Sequence, residues 1–186
     1  MSTTRTTARR ATTAGRALAG RAMTGDRTYT VVDSPVGPLT LVANDGVLAG
    51  LYMQDQRHRP PQETFGQPDT EPFGEVAAQL EAYFADGLEA FDVPLAPVGT
   101  PFQQRVWSEL RNIPYGETRS YGQLADRLGA PGASRAVGLA NGRNPIGIII
   151  PCHRVVGAGG GLTGYGGGLP RKRFLLDLEQ GVRRLA

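Results

Sequence analysis

Twice in its second half the chain spells out the start of a helix, and this punctuation constrains the fold more than any other feature. Thr100-Pro101-Phe102-Gln103 is a capping box with proline at the first helical position, where its missing N–H costs nothing. The helix it opens aligns Phe102, Val106, Trp107 and Leu110 and stops before Pro114. Ser120-Tyr121-Gly122-Gln123 is a second capping box, opening a short helix that ends at Gly129. After the turn Ala130-Pro131-Gly132, another helix is expected from about Ala133 to Asn141. Two short helices joined by a tight glycine-containing turn form a helix-turn-helix pattern. Most such pairs are structural, so the pattern alone does not establish DNA binding.

The last of these helices is short of side chain, with Ala133, Ser134, Ala136, Gly138 and Ala140. A helix that reads the major groove normally projects Arg, Asn or Gln to base edges. A small-residue helix instead brings its backbone close to whatever it packs on. That partner is either the protein core or, if DNA is bound, the narrow minor groove, with Arg135 as the one long reaching side chain.

The first half reads as β structure. Thr28–Val32, Leu39–Ala43 and Val47–Met53 are rich in Val, Leu, Thr and Tyr, and strong turn signals at Ser34–Pro38 and Asn44-Asp45-Gly46 separate them. Gln54–Phe73 is a polar, proline-containing loop, and Phe73–Leu88 places Val76, Leu80, Tyr83, Phe84 and Leu88 on one helical face. The expected fold class is therefore α/β of the α+β kind. A small antiparallel sheet domain with a helix spans 27–94, a linker 95–99, and a mainly helical domain 100–186. Residues 1–26 are rich in Thr, Ala and Arg, with no acid before Asp26. They are expected to be a basic extension, either a disordered tail, a flexible arm for DNA phosphates, or the product of a start upstream of Met23.

Charge is divided along the chain. Residues 1–27 carry six Arg and one Asp, a net +5; residues 28–92 carry two Arg against eleven acids, −9; residues 93–186 carry eleven Arg and Lys172 against five acids, +7. A basic C-terminal half suggests a polyanion partner, although a mixed solvated surface accounts for the charge equally well. A single cysteine rules out an internal disulfide framework, and with His58 and His153 as the only histidines a metal site is hard to assemble. No apolar run approaches the roughly 20 residues that cross a bilayer. The chain is expected to be cytoplasmic, free of metal and cofactor, and without a membrane partner.

The chemistry converges on the one cysteine. Asn144-Pro145 is followed by the apolar run Ile146–Ile150, read as a buried strand, and then by Pro151-Cys152-His153-Arg154-Val155. A lone buried cysteine is most often an inert apolar filler. Here an imidazole and a guanidinium stand next door, and both favour the nucleophilic thiolate. On an extended segment successive side chains point opposite ways, so His153 is expected to reach sulfur through a bridging water.

Pro151-Cys152-His153-Arg154-Val155 resembles the active-site signature of the O6-alkylguanine-DNA alkyltransferases. The resemblance runs from about Thr100 to Glu179 through Phe102–Trp107, Pro114-Tyr115-Gly116-Glu117, Ser120-Tyr121, Arg135-Ala136-Val137-Gly138, Asn144-Pro145 and Tyr165–Leu169. Residues 28–92 are similar more loosely, through Asp33–Leu39. It implies a ribonuclease H-like N-terminal domain and a winged-helix-like C-terminal one. It also implies a single-turnover reaction in which the alkyl group of O6-alkylguanine, or of O4-alkylthymine, moves irreversibly to Cys152. In that scheme His153 acts through water as the base and Glu179 orients it. Tyr121 helps rotate the nucleotide and donates to the leaving guanine, and Asn144 is a hinge. Arg135 enters the base stack, with Ser134, Ala136 and Gly138 on the DNA-facing helix. Tyr165, Gly166 and groups near Pro151 and Val155 hold the flipped base. The implied partner is double-stranded DNA approached through its minor groove by a monomer, with cooperative loading left open.

Two features depart from the family. The N-terminal zinc site of some members, held by Cys and His, has too few ligands here, and Gly166 stands where many have serine. Rival readings are weaker. Gly159-x-Gly161-x-x-Gly164 fits a dinucleotide pattern, but without a strand–turn–helix setting it reads as a base-binding loop. A cysteine hydrolase would need an aligned histidine, and His58 sits in a polar loop. Non-enzymatic relatives that only bind damaged DNA lack the acceptor cysteine, which this chain has. A relative fused to a transcriptional regulator would show an extra domain, and none is visible.

Overall fold

A computed structural model describes residues 25–182, so the basic stretch expected as an N-terminal extension lies outside the described residues except for its last two. Three antiparallel strands open the fold: β1 (Arg27–Val32), β2 (Leu39–Asn44) and β3 (Val47–Met53). Asp45 and Gly46 close the β2–β3 hairpin with φ of 48° and 80°, the left-handed pair that a two-residue turn needs to match strand twist. The polar loop expected at Gln54–Phe73 holds a fourth strand. This is β4 (Gln67–Pro68), parallel to β1, in a sheet ordered β3-β2-β1-β4. Gly66 makes that approach possible, because a Cβ there would sit 1.7 Å from the Arg27 carbonyl oxygen. A two-residue edge strand containing proline leaves no periodicity to read.

β2 and β3 are buried on both faces. Leu39, Leu41, Leu51 and Met53 pack toward Val76, Leu80 and Tyr83 of α1 (Gly74–Phe84). On the other face Val42 and Tyr52 are covered by Phe65, whose ring stacks on Tyr52 at 5.5 Å. α1 stops four residues short of the expected Leu88, where Asp86 turns left-handed at φ 59°.

The second half follows its punctuation. α2 (Pro101–Leu110) and α3 (Tyr121–Arg127) each begin with the reciprocal capping box read from the sequence, with Thr100 N–H donating to Gln103 Oε1 at 2.9 Å and Ser120 N–H to Gln123 Oε1 at 2.8 Å. α4 (Ser134–Gly142) follows a turn in which Gly129 and Gly132 have φ of 69° and 85°. Trp107, buried in α2, donates its indole N–H to the Ala140 carbonyl at 2.9 Å and so ties α2 to the end of α4. Val137, Ala140 and Asn141 face inward, while Arg135, Ala136 and Leu139 face out. A parallel pair, β5 (Arg119–Ser120) and β6 (Val155–Val156), flanks the helices, and α5 (Leu169–Glu179) closes the fold.

The halves share one core that runs from Leu39 through Trp107, Leu124, Val137 and Ile146 to Leu175. The free edge of β3 is covered by backbone from beyond the sheet. Ala96 N–H donates to the Leu48 carbonyl, and Leu51 N–H to the Pro145 carbonyl, both at 2.8 Å. An edge closed in this way cannot template pairing with another chain.

Two expectations about the segment leading to Cys152 are corrected. Ile146–Ile150 is not a strand but a buried turn, in which Ile150 N–H donates to the Ile146 carbonyl at 3.0 Å and Ile148 has φ 69°. A short apolar run cannot distinguish the two, because burial rather than extension selects its composition. A left-handed isoleucine costs of order 1–3 kcal/mol and persists only where its surroundings over-determine it. Cys152–Arg154 is likewise a single 3-10 turn rather than an extended segment, so its side chains fan out at about 120° steps instead of alternating.

Candidate active site

Cys152 lies at the bottom of a cleft of about 400 Å³ that Tyr121, Gly138, Asn144, Tyr165 and Gly166 help to line. The preceding turn holds the cysteine in place. Asn144 donates its side-chain amide to the Ile150 carbonyl at 2.8 Å and accepts from Ile146 N–H at 3.0 Å, stapling both ends of the turn. Burial pushes the Cys152 thiol up from its usual range, and the Asn144 side chain, the Lys172 charge and nearby backbone N–H groups pull it only partly back. At rest the group is a thiol.

The expected support of a thiolate by the charges of its two sequence neighbours is also corrected, because the 3-10 turn directs the Arg154 guanidinium and His153 Nε2 to Glu179, and neither side chain is among the groups that lower the Cys152 thiol. Arg154 donates from Nε to Glu179 Oε2 at 2.8 Å and from Nη2 to Oε1 at 3.0 Å, and its Nη1 donates to the Ile113 carbonyl. His153 Nε2 lies 2.6 Å from Glu179 Oε1. Tyr83 Oη donates to the same oxygen at 2.7 Å, and Gly116 N–H donates to the other at 3.3 Å. Burial alone would raise the Glu179 pKa, but His153 and Arg154 outweigh it and hold the carboxyl at about 2.

A carboxylate facing Nε2 fixes the histidine tautomer. Nε2 carries the proton, and Nδ1 is left with a lone pair, buried and without a hydrogen-bond partner. Burial lowers the His153 pKa despite the pull of Glu179, so the ring is neutral near pH 7. The result is a proton acceptor one residue from the thiol, oriented by a permanent anion.

Sequence reasoning missed Lys172. The ammonium group is fully buried, donating to the carbonyls of Val155 at 2.5 Å, Thr163 at 3.1 Å and Gly164 at 3.3 Å. It is the cation whose field reaches Cys152. Tyr83 and Gly116 were missed as Glu179 partners because each reads locally as a core aromatic and a turn glycine. Gln56, Arg57 and His58, on the loop after β3, line the same cleft, as does Arg143 at the end of α4.

The remaining expected residues spread around this centre. Tyr121, half-buried, donates Oη to the Thr163 carbonyl at 3.1 Å, and a Cβ on Gly138 would touch its ring at 3.6 Å. Arg135 and Ala136 are exposed and Ser134 is half-buried on α4. The Gly166 carbonyl accepts from Arg57 N–H at 2.8 Å. Val155 is buried with its carbonyl given to Lys172, and Pro151 lies behind, lining a separate cavity of about 180 Å³ with Tyr115 and Arg154. Among the described residues there is no group of side chains fit to hold a metal ion, and no helix is long and apolar enough to cross a membrane.

Residues 101–181 match the family described as 6-O-methylguanine DNA methyltransferase, DNA binding domain, and residues 28–97 match its ribonuclease-like domain. A methylated-DNA–protein-cysteine methyltransferase of Mycobacterium tuberculosis is 60% identical over 152 residues, covering 82% of this chain and 92% of the relative. A protein of the same name from Methanosarcina acetivorans is 52% identical over 152 residues, covering 81% and 97%. The solved structure of Mycobacterium tuberculosis OGT in complex with DNA superposes with a TM-score of 0.78 at 59% identity, covering 83% of this chain and 93% of that one. With both halves matched in order, the chain belongs to the 6-O-methylguanine DNA methyltransferase family.

Proposed function

We propose that this protein repairs DNA by direct reversal, moving the alkyl group of O6-alkylguanine, and of O4-alkylthymine, irreversibly onto Cys152. The observation that carries the reading is the cleft with a thiol at its base and the His153–Glu179 pair behind it. As the nucleophile attacks, the Cys152 proton passes through one water to His153 Nδ1. The Sγ–carbon bond forms while the carbon–O6 bond breaks, its electron pair stays on the purine, and the leaving guanine takes a proton from the Tyr121 hydroxyl, which solvent restores as His153 gives up the proton it received. Glu179 holds the imidazole and stabilises the imidazolium, the arrangement of nucleophile, base and orienter. Lys172 lowers the cost of charge on sulfur in a site where burial raises it. The thioether is stable and no second thiol exists to restore the first, so each molecule acts once.

A base stacked in a duplex cannot reach a buried thiol, and flipping it out costs a few kcal/mol. In our reading α4 lies along the minor groove with Ser134, Ala136 and Gly138 against the backbone. Arg135 fills the gap in the stack, and Tyr121 exchanges its bond to Thr163 for one to the guanine. Asn144 is the hinge, and Tyr165 and Gly166 receive the base with backbone groups near Pro151 and Val155. Residues 27–94 form the supporting domain, 95–99 the connection, and 100–186 the domain that binds DNA and accepts the alkyl group. The place of action is the cytoplasm, and the working unit a monomer.

The test is incubation with one equivalent of O6-methylguanine duplex followed by intact and peptide mass measurement. One methyl on the peptide carrying Cys152, and no second turnover, are expected. Cys152→Ala should transfer nothing while still binding DNA. Repeated turnover, or methylation elsewhere, would refute the assignment.

A further inference from the structure

The acidic half of the molecule contributes cationic groups to the mouth of the active-site cleft. Residues 28–92 hold eleven acids and only Arg57 and Arg59. Arg59 is engaged, donating to Thr40 Oγ1 and Gln62 Oε1. Arg57 has no side-chain hydrogen bond or ion pair among the described residues, and it projects at the cleft beside His58 and Arg143. Arg143 is unpaired in the same way, whereas Arg119 and Arg127 are matched by Glu117 and Glu109. The nearest charges felt by His58 are Arg143 and Arg57, so the three form one cluster.

Like charges gathered without a carboxylate repel one another until an anion joins them. The loop that carries Arg57 is built to hold it there. Gln56 Oε1 accepts from Met53 N–H at 2.9 Å, Arg59 N–H donates to the Gln56 carbonyl at 3.1 Å, and Arg57 N–H is pinned to Gly166 at 2.8 Å. Asp55 and His58 take left-handed φ of 56° and 63° to make the bend. Arg143 lies eight residues beyond Arg135, about 12 Å along the axis of α4. At about 3.4 Å per nucleotide that is a reach of roughly three to four nucleotides.

We propose that Arg57 and Arg143, flanking His58, form an oxyanion-binding rim that takes a backbone phosphate of the damaged strand on the side of the cleft away from Arg135. The inference rests on the DNA-repair reading and extends the DNA footprint to the N-terminal half. With the rest of that half negatively charged, the rim is the point where it can accept a duplex, so it also sets the register in which the damaged nucleotide meets the cleft.

The test reads duplex binding without requiring repair. Affinity for an undamaged duplex is measured by fluorescence anisotropy between 50 and 200 mM salt, for the wild type, Arg57→Gln, Arg143→Gln and the double variant. The log–log salt slope should become shallower by about 0.9 for each phosphate that the protein no longer neutralises. Arg57→Lys with Arg143→Lys should keep the wild-type slope, since charge without planarity suffices for a phosphate. Slopes unchanged in the double glutamine variant would overturn the rim. A second arm compares transfer from O6-methylguanine and O6-carboxymethylguanine in one duplex sequence. A loss confined to the carboxymethyl adduct would assign the anion to the adduct rather than the backbone and would also overturn the proposal. If the wild type fails to take a methyl group at all, the repair reading falls, and that outcome is separate from either arm.

Discussion

Behind Cys152 the charged side chains are all paired, and in front of it the exposed arginines Arg57, Arg135 and Arg143 have no partner among the described residues. On the rear side, Glu179 alone receives five hydrogen bonds, from Tyr83, Gly116, His153 and two nitrogens of Arg154. At the cleft mouth and along the outer face of α4, Arg57, Arg135 and Arg143 are exposed, and Leu139 is 69% exposed. On the proposed function, the difference separates two kinds of group. A proton relay must be oriented before substrate arrives, because reorganisation during the reaction adds to the barrier. Groups that meet DNA satisfy their charge only when DNA is there, so in the free protein they contribute little to stability. Polar side chains of the rear should therefore be costly to remove, and those of the front should be cheap for the fold and costly for repair.

The largest effect is expected at Glu179. Glu179→Ala leaves Arg154 buried without its partner, and breaking a buried pair in this way costs about 3–5 kcal/mol, measurable by urea denaturation. The same residue sets an acid limit. A carboxyl held at about 2 against the usual 4.5 adds stability above the unfolded value and loses it as the pH falls from about 4.5 toward 2. That window is worth roughly 3 kcal/mol. His153, whose pKa is lowered, acts in the same direction below about pH 6.5. Stability that stays flat in the wild type from pH 6 to 3 would mean that the rear cluster does not anchor the fold.

Lys172 comes next. Lys172→Met fills most of the volume but strips three carbonyls of their donor, at about 1–3 kcal/mol. It also removes the cation nearest sulfur, so reaction with free O6-benzylguanine should slow and its pH profile should move to higher pH, with Lys172→Arg restoring part of the shift. An equal loss at every pH would mark Lys172 as a loop tie with no electrostatic role.

Arg135 lies at the small end for stability. Arg135→Ala should change unfolding by no more than about 0.5 kcal/mol, as for an exposed side chain without a partner. Its repair of duplex O6-methylguanine should nonetheless fall about tenfold or more relative to free O6-benzylguanine, which needs no flipping. Equal losses on both substrates would place Arg135 with the rear of the site and erase the contrast.

Local signals in the sequence read out well where the physics is local. The two capping boxes, the Asp45-Gly46 turn and the α4 helix depend on residues within four positions of one another. The resemblance around Cys152 carried the family and the identity of the nucleophile. α5 escaped notice because Lys172 and Glu179, which interrupt its apolar pattern, are buried. Ile146–Ile150 misled because a buried turn and a buried strand share a composition.

By itself, then, the sequence determined the order of the elements, the one residue able to accept an alkyl group, and the charge division that leaves only Arg57 and Arg59 among the eleven acids of residues 28–92. The tertiary structure alone decided what surrounds that cysteine. His153 and Arg154 are its neighbours in sequence, yet the 3-10 turn directs both to Glu179, and the supporting cation is Lys172, twenty positions away. Whether a charged side chain stabilises or merely adjoins a nucleophile depends on direction and desolvation, and both are set by packing among segments distant in the chain.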